Sequence, residues 1–452
     1  MKVNFVDCDR GTQYLLPPSL QDWLPEKHLA RFVVDIVEQL NLRSLKESYC
    51  GRGSHPYSPV MLTALLFYGY ATGVFSSRKL EQSTYDSIAF RYIAANSHPD
   101  HDTIASFRRR FLPELEKLFV QVLEIAWRMG VLKLGSVSLD GTKIKANASK
   151  HKALSYDHAC KLEEQLKAEV TELLAQAEAA DEIAIPDGMS IPEELTRREE
   201  RLKAIAEAKI EIERRAAQRN ALEQETYEKK VAERSRKEKE TGKKSNGSPP
   251  KPPIPGPTGK DQVNLTDSES RIMPSHGGFE QAYNAQAAVD VSSMLVVAEH
   301  VTRNTNDKQE LKPALDCMDV LPKEFGSVDT LLADSGYFSE TNVTNCEGRK
   351  VIPYISPGRE HHNQSPLERF TEPPPPPDDA DAVASMKHRL KTVVGKAIYA
   401  TRKSTVEPVF GIIKSVMGFR CFLLRGFDAV RGEWKLMCIA WNLKRLYVLK
   451  KG

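Results

Sequence analysis

What this chain of 452 residues lacks narrows it first. Its seven cysteines (8, 50, 160, 317, 346, 421 and 438) form no Cys-x-x-Cys pair, and their number is odd. A chain this large needs no covalent staples, so reduced thiols are expected rather than a disulfide framework or a zinc site. No apolar run is long enough to span a bilayer, and the stretch Met1 to Asp9 has no apolar signal core. A cytoplasmic protein with no membrane partner is therefore expected. A dominant charge is missing too: Lys+Arg 64 against Asp+Glu 61 leaves +3. Net charge is silent about partners, so the distribution of charge must speak instead. The length allows two or three domains.

What is present begins with helices. Apolar residues recur at helical spacing from Leu29, from Val60 and from Leu112 to Met129, so residues 1–133 read as an all-α unit. The run from His98 to Ile104 reads as a turn and helix cap leading into Arg108, Arg109 and Arg110. These arginines are candidates for phosphate contacts, or the solvated face of a helix anchored by Phe107 and Phe111. His98 and His101 have no partner at metal-binding spacing, so capping and loop roles are expected of them.

Strand character starts at Leu134 and is expected to end at Asp140; Asp140-Gly141 also reads as a hairpin turn. Residues 151–259 interrupt it. Asp157 to about Ala184 and Glu193 to about Glu240 are rich in Ala, Glu, Lys, Arg and Leu, broken at Ile185 to Pro192. Two long helices folded into a hairpin are predicted, followed by a disordered Lys/Pro/Gly/Ser linker over 241–259. Strands return at Ala282 to Asp290 and Met294 to Val301, which read as an antiparallel pair. A helix is expected over Asp307 to Met318, then a buried strand ending at Asp334 with a glycine turn, and a further strand at Val351 to Ile355. Residues 356–385, with His361, His362 and the prolines from Pro373, read as an exposed loop.

After Met386 the charge changes sign, with many Lys and Arg against only Glu407, Asp428 and Glu433. Such a local excess suits a nucleic-acid surface. Glu407 sits among Arg402, Lys403, Lys414, Arg420 and Arg425, in what reads as a short helix capped at Ser404 with Pro408 in its first turn. Its helix position alone would also favour an acid. Taken together, Asp140 and Asp334 at strand ends and Glu407 on a late basic helix form an ordered trio. Carboxylates at neighbouring strand ends can converge, and oxygen donors without a His or Cys cluster suit Mg²⁺ or Mn²⁺. Two such ions can activate a water or 3′-hydroxyl and stabilise the leaving oxygen of a phosphodiester.

On these residues the chain resembles the DDE transposases of bacterial insertion sequences, in the branch with a Tyr-Arg-Glu-Lys signature. Leu139-Asp140-Gly141-Thr142 is similar to the first-acid motif, and Ala333-Asp334-Ser335-Gly336-Tyr337-Phe338 to the second. Tyr399, Arg402, Glu407 and Lys414 resemble the signature. Arg402 lies one residue further from Glu407 than usual and Lys403 at the usual distance, so either can be the phosphate contact. The resemblance implies an α/β ribonuclease-H-like catalytic domain of mixed sheet and helices over 134–150 and 260–452, beside an all-α DNA-binding domain over 1–133. Residues 151–259 are then a helical-hairpin insertion. It implies that Asp140, Asp334 and Glu407 are catalytic and hold two Mg²⁺ or Mn²⁺ ions per site. Tyr399, Arg402 or Lys403, Lys414, Arg420 and Arg425 would contact DNA. The partners implied are double-stranded DNA, as element ends and target, and further copies in a homodimer or larger assembly. The function expected is cutting at terminal inverted repeats and joining 3′-ends to target DNA. A metal-dependent nuclease without strand transfer, and a non-catalytic DNA-binding or scaffold protein, are the alternatives.

Overall fold

A computed structural model describes residues 19–49, 56–178, 190–241, 248–275, 277–358, 371–376 and 380–450. The expectations for residues 1–9, 185–189, His361 and His362 lie outside these. In chain order the elements begin with α1 (Leu20–Trp23), α2 (Leu29–Gln39), α3 (Arg43–Glu47), α4 (Pro59–Thr72), α5 (Ser77–Asp86), α6 (Ile88–Ile93) and α7 (His101–Arg128). Next come β1 (Ser136–Lys145), β2 (Ala153–Ser155), α8 (Tyr156–Glu178), α9 (Ile191–Thr241), β3 (Gln262–Asn264), β4 (Arg271–Ser275), β5 (Gly278–Asp290) and β6 (Val296–Thr302). The last are α10 (Leu311–Asp319), β7 (Thr330–Ala333), α11 (Glu340–Gly348), β8 (Ile352–Ile355), α12 (Ala382–Lys391), α13 (Val393–Gly411), a π turn (Ile412–Val416) and α14 (Phe427–Leu449).

The main sheet is mixed. β1 pairs antiparallel with β5, β5 antiparallel with β4 and β6, and β7 lies parallel between β1 and β8. The parallel ladder of β1 with β7 stops at Leu139 opposite Ala333, while the ladder with β5 continues to Lys145 opposite Ala282. β1 therefore runs straight through Asp140, correcting both the expected strand end and the alternative hairpin turn there. What ends at Asp140 is the partner on one side.

The N-terminal helices and the sheet share one apolar core, from Leu24 through Leu446. α14 binds the two halves. One side packs on α2, α4 and α7, the other on β6. Its Asn442 bonds both backbone groups of Val296, and its Trp434 donates to the Gln286 carbonyl. Gly432 is needed where α14 crosses α7, because a Cβ there would run into Leu112. α4 is apolar all round because it is buried on all sides. No single helix among the described residues is long and apolar enough to cross a membrane.

α8 and α9 pack along a thin separate seam that includes Leu166, Ile205 and Ile212. β2 and β3 pair at its base. The sequence reading missed both, because three-residue strands carry no measurable periodicity. It also misplaced the start of the helix carrying Glu407. α13 begins at Val393, with Thr392 as its cap, and Pro408 lies inside it rather than in its first turn. The hydroxyls of Ser404 and Thr405, which look like caps, bond back to the Thr401 carbonyl within the helix.

Candidate active site

Asp140 and Asp334 each stand one residue beyond the last paired rung of β1 and β7, Leu139 opposite Ala333. The two acids thus stand side by side where the parallel ladder ends. Asp140 accepts the Gly141 N–H at 2.8 Å, and Asp334 accepts the Gly336 N–H at 2.8 Å as the cap of a 3₁₀ turn over Ser335–Tyr337. Burial, and then the charge of Asp334, push the Asp140 carboxyl up to about 7; Asp307 adds to this, while the Gly141 N–H and Arg402 oppose it. Too much negative charge for the available cations has been gathered in a poorly solvated place.

α13 supplies the third acid. Arg402, Thr405, Val406, Val409 and Phe410 are buried, and the helix packs on β1, β5 and β7. Glu407 sits at the edge of that face with its side chain half exposed. It reaches Asp140 through Arg402, whose guanidinium lies 2.9 Å from the Glu407 carboxylate and 3.5 Å from that of Asp140. Arg402 is buried, and its Nε has no partner among the described residues. The Tyr399 hydroxyl donates to the Ala333 carbonyl at 3.3 Å, tying α13 to the residue before Asp334.

Lys414, on the π turn, donates to the Lys143 carbonyl at 2.9 Å. Burial, and then the nearby Lys143, hold its pKa below the usual lysine range. Arg420 and Arg425 are exposed, their Nε atoms anchored on the carbonyls of Lys414 and Asn147, each at 3.0 Å. Lys403 is exposed and lines a cavity of 390 Å³ with Ser356, Lys396 and Tyr399. Of the two signature candidates, Arg402 is the one that meets the acids.

The arginines of α7 divide. Arg109 and Arg110 are exposed. Arg108 is buried, donating to the Phe75 carbonyl at 2.9 Å and to the Tyr70 hydroxyl, which itself donates to the buried Glu433. Arg108 is thus an interior residue rather than a surface phosphate contact. Its burial is decided by Tyr70 and Glu433, far away in sequence.

One acid escaped the sequence reading. Asp307 lies in the turn before α10, which starts at Leu311 and not at Asp307 as expected. Its Oδ1 accepts from Asn284 at 2.6 Å and Gln286 at 2.7 Å, with the Lys143 ammonium at 3.4 Å. The signal available was its place shortly after a predicted strand, as for Asp334. Beneath it Tyr337 bonds Gln286.

Among the described residues, no three acids, histidines or cysteines form a ready-made metal cluster. Asp140 and Asp334 nevertheless fit a divalent cation. Their donors are all carboxylate oxygens, and a cation would relieve the crowding that raises Asp140.

Two family models match the chain. Residues 18–110 match a transposase domain (DUF772), and residues 253–443 match a transposase DDE domain. The second range contains Asp334, Tyr399, Arg402, Glu407 and Lys414; Asp140 lies between the two. No curated protein and no solved structure matches the chain.

Proposed function

The chain belongs to the DDE transposases of insertion sequences, enzymes that bind DNA and have a ribonuclease-H-like core, and from that premise we propose how its residues work. Asp140, Asp334 and Glu407 form the centre that cuts DNA at terminal inverted repeats and joins the 3′-ends to target DNA. The reading rests on one observation: Asp140 stands beside Asp334, and Arg402 links it to Glu407.

Asp140, Asp334 and Glu407 would hold two Mg²⁺ or Mn²⁺ ions, which when bound supply an activated water or 3′-hydroxyl and neutralise the leaving oxygen. Arg402 carries a planar fork suited to a phosphate, held beside Asp140 and Glu407. Lys414, poorly solvated and close to Asp140, donates where charge grows on the phosphoryl oxygens. Tyr399 holds α13 against the Asp334 turn. Lys403, Arg420 and Arg425, exposed around the site, contact the duplex backbone and fix its register. Two DNA ends are handled by a homodimer or larger assembly.

The test is cleavage of a duplex carrying the element end by Asp140→Ala, Asp334→Ala and Glu407→Ala, with binding measured alongside. Each variant should lose about 10³-fold or more in cleavage, at or beyond the upper end for one charge-stabilising group, and keep specific binding. Wild-type cleavage by any of them removes that residue from the centre.

A further inference from the structure

The two glycines of the acid motifs face the same carboxylate. A Cβ on Gly141 would lie 2.6 Å from Oδ1 of Asp307, and one on Gly336 would lie 3.7 Å from Oδ2. Asp307 therefore sits between the stretch of β1 that carries Asp140 and the turn that carries Asp334. It is also close enough to raise the Asp140 carboxyl and the Tyr337 hydroxyl. Among the described residues, its side-chain hydrogen bonds and its ion pair fall on Oδ1, from Asn284, Gln286 and Lys143. Oδ2 is left on the side of the Gly336 turn. Asn284 and Gln286 come from β5, so the central sheet itself fixes the carboxylate.

A residue needed only to neutralise Lys143 would not require two side-chain amides, nor a glycine at 141, where a Cβ would press into it. We propose that Asp307 is a fourth carboxylate of the active site, a positioning residue whose Oδ2 accepts a hydrogen bond from water on the cation held by Asp140 and Asp334. The proposal rests on the metal reading given above. Carboxylates of this kind orient the bound water and add negative charge without touching the metal, and losing one typically costs about 10–100-fold in metal affinity.

The test is Mn²⁺ binding to the full chain without DNA, read from the free-ion signal in electron paramagnetic resonance, with thermal melting to confirm folding. Asp307→Asn keeps the shape and should weaken Mn²⁺ binding about tenfold or more. Lys143→Met removes the ammonium and keeps the carboxylate; binding should stay the same or tighten. If Asp307 serves only as the partner of Lys143, the two variants will shift affinity alike, which overturns the proposal. Wild-type affinity in Asp307→Asn overturns it as well. Asp307→Ser replaces the Asn variant if that one does not fold. Asp140→Asn is the control: if it too binds Mn²⁺ like wild type, the metal reading fails, and the position of Asp307 is not at fault.

Discussion

The helical hairpin and the strand-end site use charge in opposite ways. Along α8 and α9 charges are dense and solvated, and many pair with a neighbour within reach: Arg198 with Glu169, Lys209 with Glu163, Arg215 with Glu211, Lys237 with Glu233. At the site charges are few and partly desolvated, and they do not cancel; Asp140 is pushed up to about 7 by its burial first and then by the nearby Asp334. The hairpin contains far more charge, yet water and its own pairs screen almost all of it. Chemical potency follows desolvation and imbalance, not the number of charges. Breaking one member in each region should therefore give effects of very different size.

The largest contrast is expected at the cationic side of the site. Lys414→Ala should lower the cleavage rate by roughly 10²–10³, the scale for removing one donor to developing charge. Binding should fall far less. Arg402→Lys should also be damaging, because lysine cannot reproduce a fork that meets two carboxylates. Lys403→Ala should be mild. A severe Lys403→Ala beside a silent Arg402→Lys, in parallel cleavage assays, would reverse the assignment of the clamp.

Next comes the pH dependence of stability without metal or DNA. The Asp140 carboxyl holds its proton up to about 7 in the folded protein but only to its ordinary value of 3.8 when unfolded. Between those values the folded state binds more protons, so stability falls as pH rises from about 4 to 7. A shift of this size corresponds to at most about 4 kcal/mol. Asp140→Asn should flatten that part of the denaturant-derived stability curve. Curves of equal slope for both proteins would show that the carboxyl is not crowded.

Arg108 makes the same point about burial away from the chemistry. Its removal leaves Tyr70 and the buried Glu433, whose own pKa burial raises, without their cationic neighbour. Arg108→Ala should cost about 3 kcal/mol in chemical unfolding, the lower end for breaking a buried charged contact. Arg109→Ala should leave stability within about 0.5 kcal/mol and reduce the salt dependence of DNA binding. Equal stabilities for the two variants would deny the division of this arginine run.

Why Arg108 was misread lies in how far its deciding contacts are. Local pattern was enough for the helices of the first half, for the antiparallel pair β5 and β6, and for the buried strand leading to Asp334. Each of these is written in hydrophobic periodicity and turn residues close in sequence. Asp334, with glycine two residues on, could be singled out for the same reason. The side of β1 on which Asp140 is unpaired could not, because it depends on where β7 ends. Nor could the start of α13: Ser404 and Thr405 look like caps, and only the path of the chain from Thr392 makes them interior. Asp307 stayed hidden because the groups that hold it belong to β1 and β5. Arg402 and Lys403 are adjacent in sequence, and only the packing of α13 on the sheet decides which one faces the acids.

The smallest effect is expected on the hairpin, at Glu163. This carboxylate is the best placed there, 2.6 Å from Lys167 and 2.7 Å from Lys209, and those hydrogen bonds pull its pKa down to about 2. Such a shift suggests a large contribution, yet the group lies on a solvated helix where salt and water screen it, so the shift overstates its effect. Glu163→Gln should cost less than about 1 kcal/mol near neutral pH, and raising the salt concentration should shrink that difference further. Because the folded pKa is depressed, the contribution is present above about 4.5 and disappears as pH falls towards 2. DNA cleavage should be unchanged throughout. A loss of several kcal/mol, or a fall in cleavage comparable with that of Lys414→Ala, would mean that the hairpin is coupled to the catalytic core far more tightly than its separate apolar seam suggests.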